Sequence, residues 1–214
     1  MLQCGVLAFM TNVISNKNIL VTGPNGVGKT EIIKSILVKW PNIFRHISSS
    51  SILMESMGVK THKELSQFSD EVKHEAFDYR VSKIMDSNKK SGTLTHLLID
   101  THLLFFNAGE VKSSVMPYVK KADGIVAVYA HYNQILDRIQ LDSNHGVRHR
   151  EILPPNISDR RLEAALLAGY TTMNQVFADI IGNEQNIPVV SIDNSNTVDM
   201  AAKQLIASLL PELL

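Results

Sequence analysis

Residues 19–33 read ILVTGPNGVGKTEII. An apolar run passes directly into a glycine-rich loop, and the loop closes on Lys29-Thr30 before a second apolar pattern with helical spacing. Gly23, Pro24, Asn25, Gly26, Val27, Gly28, Lys29 and Thr30 satisfy G-x-x-x-x-G-K-[ST] without a gap. The glycines let the backbone curl so that successive N–H groups point inward at an anion, and the helix that follows adds its positive dipole end. Lys29 can reach the β- and γ-phosphate oxygens of a nucleotide, and the Thr30 hydroxyl can ligate Mg²⁺. A strand before the loop and a helix after it are what such a site needs, so this stretch constrains fold and ligand class together.

The rest of the chain repeats that alternation. Short runs rich in Val, Ile and Leu predict strands at Asn18–Thr22, Phe44–Ser48, His96–Thr101, Gly124–Ala130 and Pro188–Ile192. Helical spacing predicts helices at Lys29–Lys39, Ser66–Ser87, Val111–Lys121, Tyr132–Leu141, Asp159–Ile181 and Thr197–Leu209. Turn signals at 40–42, 90–92, 107–109 and 193–196 separate them. The order predicts one α/β domain: a doubly wound, five-stranded parallel sheet covered by helices on both faces. Two connections exceed a minimal βα unit: Ser49–Lys90, and the polar, Pro-containing segment 143–158. Long connections of this kind usually carry function.

Charge narrows the partner class. Lys+Arg and Asp+Glu both number 21, and this balance argues against a dedicated nucleic-acid binder. The single cysteine, Cys4, allows no intramolecular disulfide and points to a reducing, cytoplasmic setting. The apolar stretch Val6–Met10 lacks a charged leader and is too short to span a bilayer, so it reads as an extra strand or helix on the domain. No membrane role is expected.

A phosphate loop needs a metal-side carboxylate. Asp100, at the end of the apolar strand HLLID, has the form of a Walker B residue, although a capping Asp would look the same. Charge that develops on a moving phosphoryl group is best met by arginines. Arg80, Arg138, Arg148 and Arg150 stand out, the last three forming R-x9-R-x-R across the polar segment. A cationic loop there could close over a nucleotide and exclude water. Solvated loop charges are the plainer reading of Arg148 and Arg150. His145 and His149 lie at i,i+4 spacing without a third metal ligand in view, and Asp70, Glu71 and Glu75 read as a solvated helix face.

Taken in order, VTGPNGVGKT, ISSSSILMESMG, FDYRVSKIM, LLIDTH, ADGIVAVYA, ILDRIQLDSNHGVRHRE and IPVVSIDNSN resemble the nucleoside monophosphate kinases, most closely the archaeal-type adenylate kinases, over roughly residues 18–210. The resemblance implies sheet order 2-3-1-4-5 and transfer from Mg-ATP to a nucleoside monophosphate, most simply AMP. It makes residues 49–90 an acceptor-binding insertion, with Ser50, Ser51, Arg80 and His102 at the acceptor. It makes 143–158 a lid, with Arg138, Arg148 and Arg150 over the donor triphosphate. It also places the turn around Asn194 beside the donor adenine.

The chain departs from the family pattern at three places. Pro24 follows Gly23 directly; Gly169 stands where the helix after the lid commonly carries an arginine, for which Arg160 or Arg161 could substitute; and Leu103–Phe106 follow LLIDTH. Leu103–Phe106 are either core or the wall of a pocket for a less polar acceptor. The departures keep two rivals open, a P-loop ATPase acting as a switch and a kinase of another small metabolite. No LSGGQ segment marks the chain as an ABC subunit.

Overall fold

A computed structural model of the chain describes residues 15–107, 110–113, 117–144 and 159–213. The expected N-terminal addition, Cys4, and most of the expected lid, with His145, Arg148, His149 and Arg150, lie outside the described residues.

The described elements run β1 (Asn18–Thr22), α1 (Lys29–Lys39), β2 (Phe44–Ser48), α2 (Ser49–Met57), α3 (His62–Leu65), α4 (Asp70–Lys90), β3 (His96–Asp100), β4 (Leu104–Asn107) and β5 (Glu110–Ser113). After a 3-10 turn at Pro117–Lys121 come β6 (Gly124–Tyr129), α5 (Tyr132–Asn144), α6 (Arg160–Gln185), β7 (Val189–Asp193) and α7 (Val198–Leu209). The main sheet is parallel in the order β2-β3-β1-β6-β7. With β4 and β5 set aside as a separate hairpin, this is the expected 2-3-1-4-5 order.

The central strands β3, β1 and β6 are largely apolar because both faces are covered, whereas the edge strand β2 leaves Arg45 exposed. Ile19 and Val21 point into one core with Ile32, Ile33 and Ile36 of α1 and Leu205 and Ile206 of α7. Leu20, between them, points into the other with Phe77 and Met85 of α4 and Ala178 and Ile181 of α6. Each such side chain, taken fully out of water, contributes about 1.5–3 kcal/mol. Helix starts follow local chemistry: Ser69, Asp159 and Thr197 accept backbone N–H bonds from Val72, Arg161 and Met200. The Ser69 cap is why α4 begins at Asp70 and not at Ser66.

One expected helix is absent. Within that span Val111–Ser113 belong to the second strand of an antiparallel hairpin, which pairs Leu104 with Ser113 and Asn107 with Glu110, and Pro117–Lys121 form the 3-10 turn. Pro117 lies in the middle of the expected helix, where it would remove a backbone donor and clash with the preceding turn. Tyr118 then turns inward, fully buried, with its N–H on Asp78 Oδ1 at 2.7 Å. Conversely, α2 and α3 form within the Ser49–Lys90 connection, where no separate helices were placed.

Candidate active site at the C-terminal edge of the sheet

β1 and β3 are neighbours, with Val21 opposite Asp100, so the glycine-rich loop and the Asp100 carboxylate leave the sheet side by side. Ligand sites of open α/β sheets form at this edge. Gly23, Gly26 and Gly28 have φ of 152°, 84° and 89°. At Gly23 a side chain would also bring a Cβ to 2.5 Å from the Val128 carbonyl oxygen, so only glycine fits the entry to the loop.

Lys29 is buried inside the loop. Its Nζ donates to the Gly23 oxygen at 2.9 Å and to the Pro24 oxygen at 3.4 Å, and lies 3.9 Å from Asp100 Oδ1. Thr30 Oγ1 donates to Asp100 Oδ2 at 2.8 Å. The Asp100 carbonyl in turn accepts from Ser49 Oγ at the start of α2. A hydroxyl and a carboxylate converge here beside the loop amides. Hard oxygen donors of this kind fit Mg²⁺, which Thr30 and Asp100 would hold. His46, one strand away, has its imidazole pushed below the ordinary value by burial, against the pull of Asp100.

Arg138 and Asn194 sit behind the loop. Arg138 Nη1 donates to the carbonyls of Gly26 at 3.3 Å and Val27 at 2.9 Å, and Nη2 donates to the Asn194 carbonyl at 3.2 Å. Asn194 is fully buried and its Nδ2 donates to the Val27 carbonyl at 2.8 Å. Burial lowers the Arg138 pKa, and no acid among the described residues opposes that shift. The sequence reading put Arg138 over the triphosphate; the structure turns it into the loop backbone. The turn carrying Asn194 is joined to the start of α5 as well, by His131 N–H to Ser195 Oγ at 2.8 Å and Gln134 Nε2 to the Ser195 carbonyl at 2.5 Å.

In front of the loop is a cavity of about 190 Å³ between α2, α3, α4 and the end of β3. Ser50 and His102 line it, and His102 Nδ1 lies 3.0 Å from the Gly23 carbonyl oxygen. Two expected residues do not reach it. Ser51 is exposed outside the lining. Arg80 turns away: its Nη2 pairs with Glu55 at 2.6 Å, and it lines a different depression with Lys83 and Ser87 further along α4.

The side of α4 that does face the cavity carries Lys73, His74 and Phe77, none of which was singled out in the sequence. The only signal was their i,i+3 and i,i+4 spacing ahead of Arg80. Leu103–Phe106 divides between its two readings: Leu103 and Leu104 are core, whereas Phe105 is 39% exposed and lines the cavity. Its ring lies 6.1 Å from that of His74 and 5.4 Å from that of His102. Gly169 faces open space beside an apolar strip of α6, and Arg160 and Arg161 are exposed at that helix's first turn.

A family model described as AAA domain matches residues 22–152, more than half of the chain. The chain belongs to this family. The matched stretch of the AAA domain contains the phosphate loop, Asp100 and Arg138 together. Among solved structures, shikimate kinase from Bacteroides thetaiotaomicron superposes with a TM-score of 0.56 at 14% identity, covering 90% of this chain and 98% of that one. Shikimate kinase from Acinetobacter baumannii in complex with shikimate gives 0.51 at 16% identity, covering 93% and 96%. TT1252 from Thermus thermophilus gives 0.50 at 13%, covering 94% and 99%. The fold of this AAA domain is therefore that of P-loop kinases. No curated protein matches the sequence.

Proposed function

We propose that the chain transfers the γ-phosphoryl group of Mg-ATP to a small molecule held in the cavity in front of the loop, and that the acceptor is a nucleoside monophosphate, AMP in the first place. The observation that carries this reading is the junction of two sites. The phosphate loop and a separate cavity share a wall where His102 meets Gly23. A hydrolase needs only the first; a transferase needs both within one bond's reach.

In this reading Lys29 and the loop amides hold the donor phosphates. Mg²⁺, held by Thr30 and Asp100, would neutralise charge on the β- and γ-phosphate oxygens. Ser50, Lys73 and His102 present polar atoms to the acceptor, and the rings of His74, Phe77 and Phe105 offer a surface against which a base can stack. The acceptor oxygen bonds to the γ-phosphorus as the bond to the bridging oxygen breaks, and ADP leaves. A phosphate acceptor is already an anion, so no general base is required. Arg148 and Arg150 are proposed to close over the donor.

A second reading has its own support. No arginine lines the cavity among the described residues, and Leu53, Leu65, Phe77 and Phe105 make much of its wall. Those features favour a smaller, less polar acceptor bearing a hydroxyl. ADP release from Mg-ATP, measured alone and with AMP, CMP, UMP, GMP, dTMP or shikimate added one at a time, decides. Stimulation by one monophosphate with formation of its diphosphate supports the first reading. Stimulation only by a hydroxylated non-nucleotide supports the second. Slow hydrolysis unaffected by every acceptor sinks both and leaves the switch ATPase.

A further inference from the structure

α4 has a second working face. Beyond the acceptor cavity its residues Arg80, Lys83 and Ser87, with Arg45 of β2 and Thr93 and Thr95 of the turn into β3, surround a separate depression of about 360 Å³. Three of its lining side chains are cations and none is an acid. Several cations of this protein are matched by acids: Lys34 meets Glu31, Lys89 meets Asp123 and Lys121 meets Asp86. Here the matching fails. Arg80 has Glu55 at the rim, but Lys83 rests on the ring and hydroxyl of Tyr79, and Arg45 has no carboxylate within 4 Å among the described residues. In a chain with 21 cations and 21 acids, a pocket with such an excess is a local field that draws anions.

The lining also has the right donors. Two guanidinium forks can bind paired oxygens, an ammonium adds a point charge, and hydroxyls on the remaining wall complete a coordination shell. Ile84 and Leu97 are the apolar residues of the lining and the other eight are polar or charged, so the occupant is recognised by charge and hydrogen bonds. We infer that this depression binds the phosphoryl dianion of a small molecule, at a site separate from the phosphate loop and from the acceptor cavity. Arg80 links this depression to the cavity in front of the loop: it takes Glu55 of α2, and α2 with α4 walls that cavity. An anion that engages Arg80 competes with Glu55 for that guanidinium. The inference does not depend on the catalytic reading.

The test uses the full chain with its loop saturated by Mg-ADP, so that added phosphate cannot report from the loop. Inorganic phosphate and ribose 5-phosphate are titrated separately at matched ionic strength, and the backbone amide resonances of Ser91, Thr93 and Thr95 are followed. Saturable shifts at these amides are expected, weakened about tenfold, or one decade of Kd, by Arg45→Gln with Lys83→Gln, while the Kd for Mg-ADP is unchanged. Tighter binding of ribose 5-phosphate identifies an organic phosphate as the occupant, and equal binding identifies free phosphate; both support the site. Shifts that track only ionic strength, or saturable shifts that survive the double substitution, overturn it.

Discussion

Arg138 separates what its position in the chain suggested from what its contacts do. Replacing it by alanine strips the Gly26 and Asn194 carbonyls of a charged donor, while the Val27 carbonyl keeps Asn194 Nδ2. Two bonds lost without replacement, each worth roughly 1 kcal/mol net, destabilise the ordered loop by about 2 kcal/mol. That ordering must then be supplied by the ligand, so the Kd for Mg-ATP rises about 30-fold while kcat at saturation changes little. Arg138→Lys recovers only part of the affinity, because one ammonium cannot span carbonyls on both the loop and the Asn194 turn. Combining Arg138→Ala with Asn194→Ala costs more than the two single changes summed, since the Val27 carbonyl then loses both donors. Titration calorimetry gives the affinity and steady-state kinetics gives kcat. An unchanged Kd with kcat reduced about a hundredfold, roughly 2.7 kcal/mol in the barrier, would refute the positioning role and put Arg138 on the transferred group.

Three further outcomes are expected. Asp100→Asn keeps the shape but removes the charge that Thr30 and Lys29 face, so the Mg²⁺ concentration for half-maximal activity should rise at least about tenfold; an unchanged Mg²⁺ requirement removes Asp100 from the metal. Phe105→Ala should raise the acceptor KM by roughly tenfold with the Mg-ATP Kd unaltered, a loss of about 1.4 kcal/mol that fits an aromatic contact, and equal changes in both would mean that the loop itself has shifted. Tyr118 is fully buried, which pushes its phenol from 10 up to about 12, with a bond to Thr101 at 2.9 Å opposing the shift. The folded state therefore keeps a proton that the unfolded chain releases, so this contribution is whole below pH 10 and is lost as pH rises toward about 12. Urea unfolding across that window should show the decline in the parent protein and a shallower one in Tyr118→Phe.

Some of the site was readable before any coordinates. The loop from Gly23 to Thr30 is contiguous, and its residue types follow from the backbone it must adopt. Asp100 was readable only beside that loop, because an acid closing an apolar strand fits a cap or turn equally well. Lys73, His74 and Phe77 were not, because a helix face acquires meaning only from what is packed against it. The depression around Arg45 was hidden for the same reason: its cations come from a strand and a helix that are distant in sequence. Ser51 and Arg80 lie outside the cavity because α2 and α4 turn other residues toward it, and which face of each helix does so depends on packing that residue order does not encode.

By itself, the sequence determined the alternation of strands and helices, the five-stranded order once the resemblance was recognised, and the chemistry of the loop. The strand order came from the resemblance; the alternation and the loop are local properties, set by periodicity, by glycine's access to positive φ and by the identity of Lys29 and Thr30. Only the tertiary structure decided that a hairpin and a 3-10 turn at Pro117 stand where a helix was expected, that Arg138 and Asn194 brace the loop from behind, and that Arg80 lies on a second face of α4. Each of those outcomes depends on which carbonyl, carboxylate or apolar surface lies within reach after folding, and contacts between residues far apart in the chain leave no periodic signature in it.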